Sequence, residues 1–530
     1  MIPLSLRHFA GRTVARLAAL CLVVLLGACG SLPAGHPQAE TQVLPPDPSD
    51  PLVRIVAAST PPGEHSGVRL MPLGVYSLDA RLELARRARH TLDVQYYVIE
   101  NDGSGRLLLR TLKEAAQRGV RVRLLIDDLY TSRTEPLLQA LAATPNIEVR
   151  LFNPFCCARS SLAGRFVASA FDLRRLNRRM HNKLFIADGV MAVAGGRNIA
   201  DEYFTLNPAR NFIDMDALFV GKVLVQLGAI FDDYWNSPQV FPIEEFAQAP
   251  GDRVVRARRF DDWVDMAGPP PKLSLPPTDV LGYGPLGKEL DAGRLGLLWG
   301  EAAAVADPPA KPGYMTDEQA LSNSVTMRFW SHLLTAEHEV VMTSPYLVPG
   351  EKGMAAFEAL RRRDIDLTLL TNSLAASDEP LVHIGYMRYR IRMLKAGIDL
   401  YELSPARTTK SERFGLFGSS VGRLHAKTAV IDKRWVFVGS ANLDPRSATQ
   451  NTELGIGIDS PPLAREMLRI IDISKLENAY RLRLAQDSGS IEWLATDGEH
   501  ETILQSEPES TWLQRFNGGL LGPFVPEGLL

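Results

Sequence analysis

One four-residue motif occurs twice in this sequence at identical internal spacing, and it constrains the fold more than any other feature. The copies are His181, Lys183, Asp188 and Asn198 in the first half, and His425, Lys427, Asp432 and Asn442 in the second. A repeat of this kind indicates two similar folded units in one chain. We therefore expect two halves related by a pseudo-twofold axis, with the active site at their interface.

The segments around the motif predict an α/β sandwich for each half, because strands alternate with helices. Strand, helix and strand are predicted at 91–98, 105–118 and 120–127, and again at 339–346, 353–363 and 365–371. A further helix and strand fall within 135–152 and within 386–403. The apolar residues inside each motif predict a β-hairpin, with its turn at 188–189 in the first copy and 432–434 in the second.

The length of the chain and its charge agree with two packed units. The chain has 530 residues and a formal net charge of −3, which gives no global sign of nucleic-acid binding. Composition divides it into a signal peptide at 1–28, a Pro-rich tether at 29–61, a first half at 62–241, a connection at 242–313 and a second half at 314–530.

The repeated residue types suit phosphoryl transfer without a metal or another cofactor. A neutral imidazole can attack phosphorus, and a second, protonated imidazole can protonate the leaving oxygen. Lysine and asparagine donors can bind the non-bridging oxygens as charge develops. No CxxC pair or dense His/Cys cluster occurs, so we expect no metal site. Cys156 and Cys157 are adjacent and can pair only through a strained vicinal ring, so we expect no disulfide framework.

The duplicated motif resembles the signature of the phospholipase D superfamily, which reads His-x-Lys, four residues, Asp, six residues, Gly-Gly or Gly-Ser, x, Asn. Finer matches resemble the bacterial cardiolipin synthase branch, in particular its C type: 176–183, 195–199 with 201–204, and 442–447 with 451–453. The resemblance covers nearly everything from about Arg69 onward. It implies a phosphatidyltransferase that makes cardiolipin from phosphatidylglycerol and a donor phospholipid such as phosphatidylethanolamine, through a phosphohistidine.

Two other activities stay open at this point. One is a phospholipase D hydrolase that releases phosphatidic acid, and the other is a phosphodiesterase that acts on nucleic acid. The resemblance implies phospholipid substrates and a membrane surface as partners and no nucleic acid. It also implies an active site that is complete within one chain, without an oligomer.

The resemblance assigns roles to the motif residues. His181 is the expected nucleophile and His425 the expected acid, and the symmetry of the copies leaves the reverse assignment open. The side chains expected to bind phosphoryl oxygens are Lys183, Lys427, Asn198 and Asn442. Asp188 and Asp432 lie at the predicted turns, so we expect them to stabilise the local fold.

Each histidine also needs a carboxylate that orients its second ring nitrogen. We expect Glu453 to orient His425 and Asp214 to orient His181, with Asp216 left open as a rival of Asp214. Ser440 of the second copy is replaced by Gly196 in the first, so a hydroxyl contact is expected in one half alone.

The first residues have the layout of a secretory signal. Three arginines precede an apolar run at 17–26, which is followed by Leu26-Gly27-Ala28-Cys29. This segment resembles the bacterial lipobox, so Cys29 is the expected lipid attachment site; an uncleaved N-terminal anchor is the alternative. Either one predicts a membrane-anchored protein of the cell envelope that faces the periplasm. Whether that membrane is the inner or the outer one stays open, because Gly30 lacks the aspartate associated with inner-membrane retention.

Overall fold

The computed structural model describes residues 32, 38–63, 65–169, 172–246, 251–409, 420–498 and 500–521. Both halves are α/β units whose strands join into one 18-stranded sheet, beside which lies a separate two-stranded sheet. The predicted fold class is confirmed: two similar halves repeat the same order of strands and helices.

The first half has a mixed sheet in the order β1-β8-β6-β5-β2-β3-β4-β9, in which β2, β3 and β4 are parallel. Its strands are β1 (Ser66–Met71), β2 (Thr91–Tyr96), β3 (Arg121–Asp127), β4 (Ile147–Phe152), β5 (Leu184–Ala187), β6 (Met191–Gly195), β7 (Arg210–Ile213), β8 (Asp216–Gly221) and β9 (Val240–Pro242). Its helices, with those that follow it, are α1 (Pro51–Ser59), α2 (Gly74–Arg87), α3 (Gly103–Gln117), α4 (Glu135–Ala142), α5 (Leu162–Ala168), α6 (Leu173–Leu176), α7 (Val223–Trp235), α8 (Arg253–Met266) and α9 (Leu286–Asp291).

The second half repeats this sheet in the order β10-β17-β16-β15-β11-β12-β13-β18, extended by β19 and β20. Its strands are β10 (Leu298–Ala306), β11 (Glu339–Thr343), β12 (Asp366–Asn372), β13 (Asp399–Leu403), β14 (Val421–Leu424), β15 (Thr428–Ile431), β16 (Trp435–Gly439), β17 (Leu454–Asp459), β18 (Ala479–Leu484), β19 (Ile491–Asp497) and β20 (His500–Leu504). Its helices are α10 (Lys311–Tyr314), α11 (Asp317–Ser322), α12 (Val325–Leu333), α13 (Gly350–Arg361), α14 (Pro380–Lys395), α15 (Pro405–Thr408), α16 (Pro445–Thr449), α17 (Pro461–Asn478) and α18 (Trp512–Leu521).

Local sequence explains where these elements begin and end. Helix α3 begins after Asp102, whose side chain accepts a hydrogen bond from the Gly105 N–H, and the chain leaves it at Gly119, whose φ of 97° favours glycine. The central strands are buried on both faces, which agrees with parallel strands covered by helices. The two halves also share a hydrophobic core, to which Phe219 contributes from the first half and Met467 from the second.

Both predicted hairpins are present, as β5–β6 and β15–β16. Asp188 and Gly189 have φ values of 49° and 63°, and Asp432 and Lys433 have φ values of 51° and 53°. Two consecutive residues in the left-handed region match the twist of a tight hairpin. Each hairpin therefore begins immediately after its His-x-Lys segment and returns the chain towards its asparagine.

The predicted tether is wrong for its later part, which packs against the first half. The backbone N–H groups of Thr41 and Val43 donate to the side chains of Asn236 and Asp232. Helix α1 then buries Leu52 and Val56. The composition of 29–61 suggested solvent exposure, whereas the apolar spacing at 52–56 places both side chains on one face of a helix.

The predicted connection at 242–313 is also wrong in part, because it contains the first strand of the second half. Strand β10 pairs with β17 as β1 pairs with β8, and its first residues also pair with β1. The second half thus begins near Leu298 rather than at 314. Helix α8 lies in the same stretch and buries Phe260 and Val264.

The cysteine prediction needs one correction, since Cys156 and Cys157 are joined as a vicinal disulfide. The predicted signal peptide at 1–28 and the lipidation site at Cys29 lie outside the described residues. Within the described ranges, no helix is long and apolar enough to cross a membrane.

Candidate active site

The two motifs meet where the halves contact each other, at two short parallel pairings of the backbone. Strand β14, which leads into His425, pairs with β7, which leads into Asp214, and the His425 N–H donates to the Ile213 carbonyl at 2.8 Å. In the other copy Met180 and Thr452 form a parallel bridge, and the His181 N–H donates to the Thr452 carbonyl at 2.8 Å. Each pairing brings a histidine of one half beside a carboxylate of the other.

The carboxylates therefore cross between the halves. Nδ1 of His181 lies 3.0 Å from Oε2 of Glu453, and Nδ1 of His425 lies 2.6 Å from Oδ2 of Asp214. The predicted pairing, Glu453 with His425 and Asp214 with His181, is wrong. The prediction assumed that the carboxylate of each half contacts the histidine of the same half. The parallel pairings instead place each carboxylate beside the histidine of the opposite half.

The structure also separates Asp214 from its rival. Asp216 accepts hydrogen bonds from the Ser77 hydroxyl at 2.6 Å and from Nη2 of Arg81 at 2.9 Å, in a fully buried cluster. Its carboxylate thus neutralises a buried guanidinium, and Asp214 is the carboxylate that contacts a motif histidine.

The difference between Gly196 and Ser440 has a steric cause. A Cβ atom added to Gly196 would overlap the Asp214 carboxylate. In the other copy the hydroxyl groups of Ser440 and Ser447 both donate to Glu453, at 2.5 and 2.8 Å. The shorter aspartate thus occupies the space that a serine side chain would need, and the longer glutamate leaves that space free for two hydroxyl donors.

The motif lysines are buried and fold back on their own histidines. Nζ of Lys183 donates to the His181 carbonyl at 2.6 Å, and Nζ of Lys427 donates to the His425 carbonyl at 2.5 Å. Burial lowers the pKa of Lys183 well below its usual value and that of Lys427 to about 8. An ammonium has three donors, so each lysine retains hydrogens for phosphoryl oxygens after this anchoring bond.

Burial governs the charge of the two histidines. It lowers the pKa of His181 to about 4, helped by the Lys183 ammonium and opposed by the Glu453 carboxylate. Burial also lowers the pKa of His425, and the charge of Asp214 opposes that shift. Both imidazoles are thus neutral near pH 7, each with Nε2 unprotonated because Nδ1 carries the hydrogen shared with its carboxylate.

Aromatic rings that the sequence analysis did not assign enclose the two imidazoles. The ring of Tyr97 meets His181 edge-on at 5.0 Å between centroids, and the ring of Tyr203 meets His425 edge-on at 5.2 Å. The hydroxyl of Tyr203 also accepts a hydrogen bond from Nδ2 of Asn198 at 3.0 Å, so this tyrosine contacts both motifs. Tyr203 lies within the 201–204 segment that resembles the family, and this position was the sequence signal for it.

Asp307 is another residue that sequence reasoning missed. Its Oδ2 accepts hydrogen bonds from the Glu453 N–H at 3.0 Å and from Nζ of Lys311 at 2.6 Å. This contact holds the backbone of Glu453 beside His181. No sequence signal pointed to Asp307, because it lies in the stretch interpreted as a connection. Among the described residues, no cluster of His, Cys, Asp or Glu is arranged to hold a metal ion.

Comparisons with known proteins agree with this geometry. A family model described as cardiolipin synthase, PLD-like domain matches residues 82–235 and 330–473, and each matched segment contains one copy of the motif. The chain belongs to this phospholipase D-like family of cardiolipin synthases. The predicted membership is confirmed, and it makes the chain a phosphatidyltransferase of the phospholipase D type.

Individual relatives within the cardiolipin synthase family support the same assignment. Cardiolipin synthase C of Escherichia coli is 38% identical over 445 residues, which are 83% of this chain and 91% of that protein. Cardiolipin synthase A of Pseudomonas fluorescens is 26% identical over 431 residues, which are 80% of this chain and 73% of that protein. The crystal structure of phosphatidylserine synthase from Haemophilus influenzae shares the fold, with a TM-score of 0.55, 13% identity and coverage of 86% of this chain and 92% of that one.

The motif aspartates hold the hairpins in place, and in the described structure they contact neither His181 nor His425. The Asp188 carboxylate accepts from the N–H groups of Arg89, His90 and Thr91 at 2.8–2.9 Å. Asp432 accepts in the same way from three N–H groups at 337–339. Each aspartate thereby joins its hairpin turn to the start of the neighbouring strand, which supports the structural role proposed for both.

We expect Asp188→Ala to lower the free energy of unfolding by about 3 kcal/mol, because three N–H groups lose their acceptor. Turnover per folded molecule should stay close to wild type. Urea unfolding and transfer assays on the same preparations measure the two quantities, with Asp188→Asn, which keeps one acceptor oxygen, as the milder control. A fully folded Asp188→Ala enzyme without turnover would contradict the structural role.

Asp432 makes the stability of the fold depend on pH. Burial alone would raise its pKa, but the backbone N–H donors outweigh burial and hold the pKa below its usual value. Its contribution to stability is therefore fully present above the unfolded value, about 4, and is lost as the pH falls through the folded value. As the pH falls through this range, the free energy of unfolding should therefore decrease less in an Asp432→Ala variant than in the wild type.

Proposed function

We propose that this enzyme transfers a phosphatidyl group from a donor phospholipid to phosphatidylglycerol and so makes cardiolipin, through a phosphohistidine on His181. The observation that carries the proposal is the pair of buried imidazoles, each oriented by a carboxylate of the opposite half. Phosphatidylethanolamine is one suitable donor. The role of each motif residue is part of the same proposal.

In the first step, Nε2 of His181 attacks the phosphorus atom of the donor and forms a P–N bond. The bond between phosphorus and the head-group oxygen breaks, and His425 gives a proton to that oxygen as it leaves. His425 is neutral in the free enzyme, and the bound phosphodiester anion favours its protonated form. Lys183, Lys427, Asn198 and Asn442 bind the non-bridging oxygens.

In the second step, His425 is neutral and acts as the base. It takes the proton from the glycerol hydroxyl of phosphatidylglycerol, whose oxygen attacks phosphorus while the P–N bond breaks. Cardiolipin leaves, and His181 and His425 return to their first states. Water in place of the glycerol hydroxyl would give phosphatidic acid, so the entering oxygen alone separates transfer from hydrolysis.

The electrostatics of the site support this division of labour. A pKa of about 4 leaves His181 neutral at physiological pH, as a nucleophile must be. Burial lowers the pKa of both lysines because it strips water from their ammonium groups, and a bound phosphodiester anion would compensate those charges.

Lipid analysis of a cardiolipin-free host that expresses this chain tests the proposal. We expect cardiolipin to appear as the main product and phosphatidic acid as the minor one, and His181→Ala to abolish both. Phosphatidic acid without cardiolipin would make the enzyme a hydrolase. Unchanged lipids together with cleavage of DNA or RNA by the purified protein would favour the nuclease alternative.

We further propose that Cys29 carries the lipid anchor and that the enzyme works at the membrane from the periplasmic side. Cys29→Ala should leave an unprocessed precursor without attached lipid, whereas turnover on detergent-solubilised substrate should persist, because an anchor delivers the enzyme and takes no part in chemistry. Metabolic labelling with a radioactive fatty acid measures the first effect. Equal labelling of the variant and wild type would exclude Cys29.

A further inference from the structure

Helix α18 presents large apolar side chains to solvent. Trp512 is 69% exposed, Leu513 is 51% exposed and Phe516 is 56% exposed. Leu381, in the first turn of α14, against which α18 packs, is 50% exposed. These four residues form the C-terminal apolar surface. Three exposed apolar side chains of this size on one helix, with a fourth on the helix that it packs against, mark a contact surface rather than ordinary surface variation.

The segment before α18 is fastened to the second half. Glu507 pairs with the buried guanidinium of Arg390 at 2.5 Å, and Glu509 accepts hydrogen bonds from the hydroxyl groups of Tyr480 and Ser404. Ser404 directly follows β13, so Glu509 lies at the carboxyl edge of the parallel strands. Helix α18 thus begins at a defined edge of the sheet.

The second motif lies at this same edge. Asp378, three residues before Leu381, accepts a hydrogen bond from the Tyr346 hydroxyl at 2.9 Å. Strand β15, which follows Lys427, pairs antiparallel with β11, so His425 and Lys427 lie at the carboxyl edge of the parallel strands, and Asp378 lies in the loop that follows β12 at that edge. Leu381 begins α14 after this loop, so it lies at the same edge of the sheet as the lysine and histidine of the second motif.

We propose that the C-terminal apolar surface docks on a phospholipid bilayer that contains phosphatidylglycerol and holds the edge with the active site against it. This inference rests on the proposed function, because both substrates are then bilayer lipids whose phosphates must reach the buried histidines. Tryptophan and phenylalanine favour the boundary between head groups and acyl chains. Arg515, exposed on the same helix, offers a positive charge to the anionic head groups.

Paired substitutions in the full chain test the surface. Trp512→Glu is compared with Val225→Glu, in which another apolar residue, 78% exposed, receives the same charge. Strand β8 runs away from the site edge, and Val225 follows its far end, so the control lies at the opposite edge of the sheet. On phosphatidylglycerol vesicles, Trp512→Glu should lower turnover about tenfold, as for the loss of one buried aromatic anchor, and Val225→Glu should have no effect.

The same assays on lipid dispersed in detergent micelles separate docking from chemistry. Both variants should then match the wild type, because a micelle delivers single lipids without a docked bilayer. Equal turnover of Trp512→Glu and Val225→Glu on vesicles would overturn the proposal. Loss of Trp512→Glu turnover in micelles as well would overturn it too, since the helix would then act on the site itself.

Amide hydrogen exchange supplies a readout that does not depend on activity. In the wild-type enzyme, the amides of 512–521 should exchange about tenfold more slowly on phosphatidylglycerol vesicles than in micelles, whereas those of α7 should exchange equally in both. Equal exchange of 512–521 in the two media would assign the surface to another occupant, such as a protein, and would overturn bilayer docking. Protection of 512–521 in an enzyme that makes no cardiolipin would leave the docking surface intact and refute the proposed function alone.

Discussion

Replacement of either His181 or His425 by alanine is expected to lower the rate of transfer by roughly 10⁴-fold or more, and the double replacement is expected to be hardly worse. The two histidines act as one unit, because the first step needs both a nucleophile and an acid. Steady-state assays of the two single variants and the double variant measure this non-additivity. His90→Ala, which removes a half-exposed imidazole outside the site, is the control.

The identity of the nucleophile and the pH profile extend this prediction. Rapid acid quench of the wild-type enzyme should trap a phosphorylated peptide that contains His181. The profile of kcat/KM should fall as the pH drops through the pKa of His181, about 4, because protonation removes the attacking lone pair. Label found on His425 alone would reverse the two roles, and near wild-type turnover in either single variant would refute the shared site.

Replacement of the orienting carboxylates by their amides is expected to lower the rate by roughly 10³- to 10⁴-fold. A glutamine at 453 offers an N–H to Nδ1 of His181, so that the ring hydrogen moves to Nε2 and the atom that attacks phosphorus loses its lone pair. An asparagine at 214 acts in the same way on His425. It also removes the charge that opposes the lowering of the pKa of His425, so His425 should lose the proton that it gives to the leaving group at a lower pH than in the wild type.

A substrate whose leaving group needs no proton tests whether each carboxylate orients the histidine of the opposite half or the histidine of its own half. On a p-nitrophenyl phosphodiester of the donor lipid, Asp214→Asn should release p-nitrophenol in a first turnover near the wild-type rate, because the acid is dispensable. Glu453→Gln should remain inactive, because the nucleophile itself is impaired. With the phosphoryl label on His181, the opposite pattern would show that Glu453 orients the acid His425, as the sequence first suggested.

The duplicated motif is the reason why so much could be predicted without a structure. Two copies of His, Lys, Asp and Asn at identical spacing require two similar units, and the alternation of strands and helices before each copy predicts their α/β architecture. The hairpin turns at Asp188 and Asp432 follow from local sequence, since both lie between short apolar runs. These features depend on interactions between residues that are close together in the chain, and the periodicity of apolar residues shows such interactions directly.

The pairing of carboxylates with histidines was decided by tertiary structure alone. Glu453 reaches His181 because Met180 and Thr452 form a bridge, and Asp214 reaches His425 because β7 pairs with β14. Both pairings join residues of opposite halves, so no spacing within one half records them. Contacts between segments far apart in the chain also explain why Asp307 escaped notice and why β10 was interpreted as part of a connection. Its alanine-rich run lacks a clear strand pattern, and it becomes a strand because β17 and β1 lie on either side of it. The sequence by itself therefore determined the repeated fold and the set of reactive side chains, whereas contacts between the halves determined which carboxylate holds which histidine.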